Sequence, residues 1–114
     1  MAYDEELADR IRDLLGPALP EVVEKKMFGG LAFLLGGNMA VAASGKGGLM
    51  VRVDPDEADA LLEADTVARM VMGGREMRNW LRISAEAVGD DDVLHEWITR
   101  GLAYARTLPA KRAR

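Results

Sequence analysis

Between residues 3 and 15, Tyr3, Leu7, Ile11 and Leu14 recur every three or four positions, and acids crowd the first turn. That spacing predicts an amphipathic helix whose carboxylates sit at the positive end of its dipole. Gly16-Pro17 and Pro20 end it, and β-formers take over from Val22. Apolar runs near 24–35, 38–44 and 48–53 are separated by Gly36-Gly37-Asn38 and by Ser44-Gly45-Lys46-Gly47-Gly48. Both separators are hairpin signals, so a three-stranded meander is expected. Gly29, Gly30, Gly36, Gly37, Gly47 and Gly48 are read as serving backbone geometry, several of them at positive φ or in bulges.

Asp54-Pro55-Asp56-Glu57 supplies a cap, an early proline and N-terminal acids for a short second helix that buries Ala58, Leu61 and Leu62 and ends near Ala64. Two further runs flank Gly73-Gly74 and predict a second hairpin; in the later one Met77, Leu81 and Ile83 alternate with Arg78, Trp80 and Arg82. Asp90-Asp91-Asp92 opens a last helix on which Leu94, Trp97, Ile98, Gly101, Ala105 and Leu108 share one face, and Pro109 closes it. The order α-β-β-β-α-β-β-α leaves too few helices for repeated βαβ units. It predicts a two-layer α+β fold, an antiparallel sheet with helices on one side, as one domain over residues 1–108 followed by a flexible basic tail, 109–114.

Composition narrows the class. The 114 residues, 49% hydrophobic and 30% charged, suit one globular core. The lack of cysteine removes disulfides, thiolate zinc sites and a cysteine nucleophile, and it suits a reducing compartment. The acidic N-terminus is unlike a secretory signal, and no apolar run approaches the ~18 residues of a membrane span. A cytoplasmic protein with no membrane partner is expected. The net charge of −4 hides blocks: residues 1–20 carry five acids against two bases, and 54–65 carry six acids and no base. Bases gather instead in 66–83 and in 93–114, where an anion-binding surface is expected.

Few residues offer chemistry. The glycine-rich stretch lacks both the Walker spacing and a GxGxxG, and its glycines precede strands where phosphate loops precede a helix. His95, the one histidine, flanks the apolar face of the last helix, and Glu96 beside it points about 100° away, so no metal set forms. The acids at 90–92 read as a helix start. With Ser44 and Ser84 as the only serines and neither in a G-x-S-x-G setting, no catalytic residue, cofactor or metal is assigned.

Arg78-Asn79-Trp80-Leu81-Arg82 stands apart, because alternation puts Trp80 and two guanidinium groups on one strand face. Such a strand either stacks bases and holds phosphates, or hides its tryptophan under a helix while the arginine heads reach water. The second arrangement is the expected one. The candidate partner or anion-binding surface therefore comprises Lys25, Lys26, Arg52, Arg78, Trp80 and Arg82.

Met27-Phe28-Gly29-Gly30 enters the first hairpin, Leu49-Met50-Val51-Arg52-Val53-Asp54 closes the meander, and a tryptophan-bearing strand precedes the acidic helix start from Trp80 to Asp92. Over roughly residues 3 to 108 this pattern resembles the N-terminal domain of the TfoX/Sxy family of bacterial competence regulators. The resemblance implies a cytoplasmic domain of secretion-chaperone-like fold that assists transcription together with a DNA-bound activator; the family's regulators carry a second, C-terminal domain, and this chain is read as the N-terminal one standing alone. A homodimer through a sheet edge or the apolar surface near Trp80 is expected, because an edge strand and several methionines need covering. It supplies no catalytic residues. Three readings are carried forward: a regulatory domain acting through protein contacts, a weak nucleic-acid binder, and, less favoured, an RNA-modifying enzyme.

Overall fold

The computed structural model describes residues 5–27, 30–45, 47–62, 66–72 and 74–108, with the side chains at 27, 70–72 and 75–78 excepted. Its centre is a six-stranded sheet built from β1 (Val22–Met27), β2 (Gly30–Leu35), β3 (Asn38–Ala43), β4 (Leu49–Arg52), β5 (Val67–Met72) and β6 (Arg75–Ile83). The strands lie in the order β1-β2-β3-β4-β6-β5 and every pairing is antiparallel. Three α-helices, α1 (Glu5–Leu15), α2 (Pro55–Leu61) and α3 (Asp91–Thr107), are present among the described residues. The α+β class and the helix layer match the sequence reading.

The strand count before α2 differs from it. The run read as one strand over 24–35 is two, because β1 and β2 pair antiparallel with Met27 opposite Gly30, and the order becomes α-β-β-β-β-α-β-β-α. Gly30 belongs to β2 and is not left-handed. A Cβ there would come within 2.2 Å of the Ala43 carbonyl oxygen, so glycine is required by close approach. Gly36 and Gly37, at φ 61° and 81°, form the two-residue reversal between β2 and β3, and Gly47 and Gly48 are also at positive φ. Phe28, Gly29 and the tail 109–114 lie outside the described residues.

Alternation along the strands sends Leu31, Phe33, Leu35, Val41, Ala43, Leu49, Val51, Leu81 and Ile83 to one face, where they join Leu7, Ile11 and Leu15 of α1 and Leu94, Ile98, Leu102 and Ala105 of α3 in the main core. Each large side chain sealed there contributes about 1.5–3 kcal/mol. A bulge falls between Phe33 and Leu34, since Phe33 faces Val41 while Leu34 faces Met39, leaving Ala40 as the extra residue. Gly101 of α3 lies against it: an added Cβ would meet the Ala40 carbonyl oxygen at 2.7 Å and Val41 Cγ1 at 2.9 Å.

The helix starts are capped as the sequence suggests. The Asp54 carboxylate accepts from the Asp56 N–H at 2.9 Å, and that of Asp90 accepts from Asp92 and Val93. Helix α1 is tied to the sheet edge by Arg12, whose Nε and Nη2 donate to the two oxygens of Glu24 at 2.6 and 2.7 Å. It is tied to α3 by Arg10, which reaches Asp91 at 2.6 Å and the Gly89 carbonyl.

Two outcomes are expected. Gly101→Ala gains about 1 kcal/mol of helix propensity but forces a Cβ against backbone, so a net loss of about 1–2 kcal/mol is expected in urea unfolding; a raised midpoint would show that α3 can lift away. The hydrogen bonds from Arg12, aided by its charge, hold the Glu24 carboxyl below the usual carboxylate range against the opposing cost of burial. A depressed folded-state pKa stabilises above the unfolded value of about 4.3 and is lost as pH falls through the folded value. Because both side chains are about a third exposed, Glu24→Gln is expected to cost only about 0.5–1 kcal/mol at pH 7, a difference that closes on acidification below about pH 4. Urea curves for both proteins that stay apart by the same amount at pH 3 and pH 7 would refute the pairing.

Candidate functional site

The sheet face turned away from the helices carries Ala32, Ala42 and Met50, which form a second, smaller core closed by half-buried Leu34, Met39 and Trp80. No described helix lies over it. The register lines up Lys25, Ala32, Ala42, Met50 and Arg82 across five strands, while Arg52 stands beside Trp80 on the next pair. Two basic positions and an apolar middle therefore share one row, an arrangement that only the strand order creates.

The predicted surface is only partly assembled here. Lys25 and Lys26 are both exposed but cannot act together: Lys25 pairs with Ala32 on this outer face, whereas Lys26 pairs with Leu31, which points to the main core. Arg52, Trp80 and Arg82 do share the outer face. The Arg78 side chain lies outside the described residues, as does that of Met27. Trp80 is not covered by any described helix, contrary to expectation. It seals Met50 and the alanines instead, and the Arg52 guanidinium lies 6.0 Å from the centre of its ring.

That guanidinium is equally 6.0 Å from the ring of Tyr104 on α3. Arg52 thus sits between two aromatic rings, a favourable position for a cation. Its Nε is sealed from water and has no hydrogen-bond partner among the described residues. No local pattern pointed to Tyr104, which lies 52 positions away on another element.

Charge is sorted by face. On the helix side, Arg10 pairs with Asp91, Arg12 with Asp9 and Glu24, Arg69 with Asp59, Arg100 with Glu57 and Glu96, and Arg106 with Glu21. On the outer face, Lys25, Arg52 and Arg82 make no ion pair among the described residues, and no described acid shares that face.

On the opposite side, α2 and α3 border an open cleft of about 610 Å³ lined by Asp54, Glu57, Asp92, Glu96, Arg100 and Tyr104 among others. His95 is exposed at its wall. Among the described residues no three His, Asp or Glu side chains gather where they could hold a metal ion. No helix among them is long and apolar enough to cross a membrane.

Arg52→Met keeps the stem, removes an unsatisfied buried N–H and forfeits the ring contacts. These effects oppose one another, and the change in unfolding free energy is expected to stay within about 1 kcal/mol. A loss above about 2 kcal/mol would make the guanidinium a structural requirement of the fold.

No curated protein and no solved structure matches this chain. The family model described as the TfoX N-terminal domain matches residues 13–105, a span that runs from within α1 to within α3 and includes every strand. The chain belongs to the TfoX N-terminal domain family.

Proposed function

We propose that this TfoX N-terminal domain is a non-catalytic, cytoplasmic regulatory module that acts through protein contacts, with a transcription activator as its partner. The observation that carries this reading is the outer sheet face, where an apolar centre closed by Leu34, Met39 and Trp80 is rimmed by cations with no acid beside them among the described side chains. An apolar middle inside a charged rim is the anatomy of a protein interface. Family membership supports a regulatory role, because the domain resembles that of the competence regulators.

Weak nucleic-acid binding is the second reading, favoured by Arg52 and Arg82 standing next to a tryptophan with Lys25 farther along the same face. Its magnitude is limited. With Lys26 on the other face, about three phosphate contacts remain among the described side chains, which gives a log-log salt slope near −3 and non-specific affinity no better than about 10⁻⁴–10⁻⁶ M. The paired acids of the helix layer weaken the attraction further.

The test is capture from an extract of the protein's own cells, with and without nuclease, using the tagged protein and a Leu34→Glu/Met39→Glu variant. Nuclease-resistant protein partners that the outer-face variant loses, and that a Glu57→Gln control retains, are expected. Material that disappears with nuclease, or that the outer-face variant retains in full, would overturn the reading. Direct titration with single- and double-stranded DNA is expected to give the shallow slope near −3.

A further inference from the structure

We propose that the outer sheet face receives an acidic, amphipathic segment of the partner protein. This deepens the protein-binding reading and rests on it. The row from Lys25 to Arg82 crosses four strand spacings, so its two cations stand about 19 Å apart with Ala32, Ala42 and Met50 between them. A helix of about thirteen residues spans that distance. A complementary segment places apolar side chains over Leu34, Met39 and Trp80 and carboxylates toward Lys25, Arg82 and the outer nitrogens of Arg52.

Charge complementarity selects the occupant. Each described arginine of the helix layer already has a carboxylate, whereas the cations of the outer face have none among the described residues. A second copy of this chain is a poor fit. Docked face to face about a two-fold axis, it sets cations against cations; docked by its helix layer, it offers acids of which Asp91, Glu24, Asp59 and Glu57 are already held by arginines. Nucleic acid fits less well too. The Trp80 ring carries the Arg52 guanidinium 6.0 Å from its centre, where a stacked base would need to lie, and the alanines and methionines of the centre offer no hydrogen bonds to base edges.

The test places a photocrosslinking benzophenone amino acid at Val23, which is 65% exposed beside Leu34, or at Met39, in cells that make the full chain. Adducts are then mapped to the crosslinked segment. Expected is a protein adduct whose mapped segment interleaves apolar residues with Asp and Glu and is net negative. Lys25→Glu with Arg82→Glu should reduce its yield by about tenfold or more, while Lys25→Arg with Arg82→Lys should leave it nearly unchanged. Thermal unfolding of each variant separates lost binding from lost fold, and Arg52→Glu provides an independent reversal. A neutral or basic mapped segment, or a yield indifferent to charge reversal, would sink the acidic-partner inference and leave the protein-binding reading standing. An adduct to nucleic acid or to a second copy of this chain, or no adduct at either position, would overturn both.

Discussion

Alternation of side chains across one sheet governs this molecule. Once Phe33, Val41, Val51, Leu81 and Ile83 are committed to the helix side, their strand neighbours have to point the other way, whatever their chemistry. The outer face is thus assembled from the complementary set: small or flexible apolar residues in the middle strands, and basic ones on β1, on β6 and at the end of β4. A one-residue slip in register would exchange the two sets along the slipped strand, bringing charge into the core. The bulge at Ala40 and the missing side chain at Gly101 show how tightly the helix layer is fitted to that register, since α3 approaches until backbone meets backbone.

Helices on one side only have an electrostatic consequence. Carboxylates at helix starts cap backbone N–H groups and draw arginines toward them, so acids and most described arginines neutralise one another within a single layer. Among the described residues the sheet's other face receives no helix and no helix-start acid, and its cations stay unpaired. A chain with a net charge of −4 thereby presents a basic apolar face. Surface ion pairs stabilise little, about 0–1 kcal/mol each, so this sorting matters more for recognition than for folding. Arg52 links the two layers, because one guanidinium contacts Trp80 on the sheet and Tyr104 on a helix.

Local signals in the sequence were sufficient for the elements. The caps at Asp54 and Asp90, the prolines after α1, the Gly36-Gly37 turn and the alternation of β6 each arise from contacts within a few residues, and the structure reproduces each. The reversal between Met27 and Gly30 is not legible locally, because strand-like residues continue on both sides of it and continuity reads as one strand. Lys25 and Lys26 do not share a surface for a simpler reason: neighbours on a strand face opposite ways. The expected helix cover over Trp80 failed because strand alternation says which residues share a face without saying which face the helices take.

The amino-acid sequence by itself determined the element types, the fold class and the family, since these depend on periodicity, capping and turn chemistry that act over short separations. The tertiary structure alone decided that β4 pairs with β6 rather than β5, and this places Arg52 beside Trp80 and Arg82 in line with Lys25. It also decided which sheet face the helices cover and brought Tyr104 to Arg52. Those outcomes depend on strand order and on burial summed over the whole sheet, in which Leu81 and Ile83 are sealed like Phe33, Val41 and Val51 of other strands, and no local window of residues contains that sum.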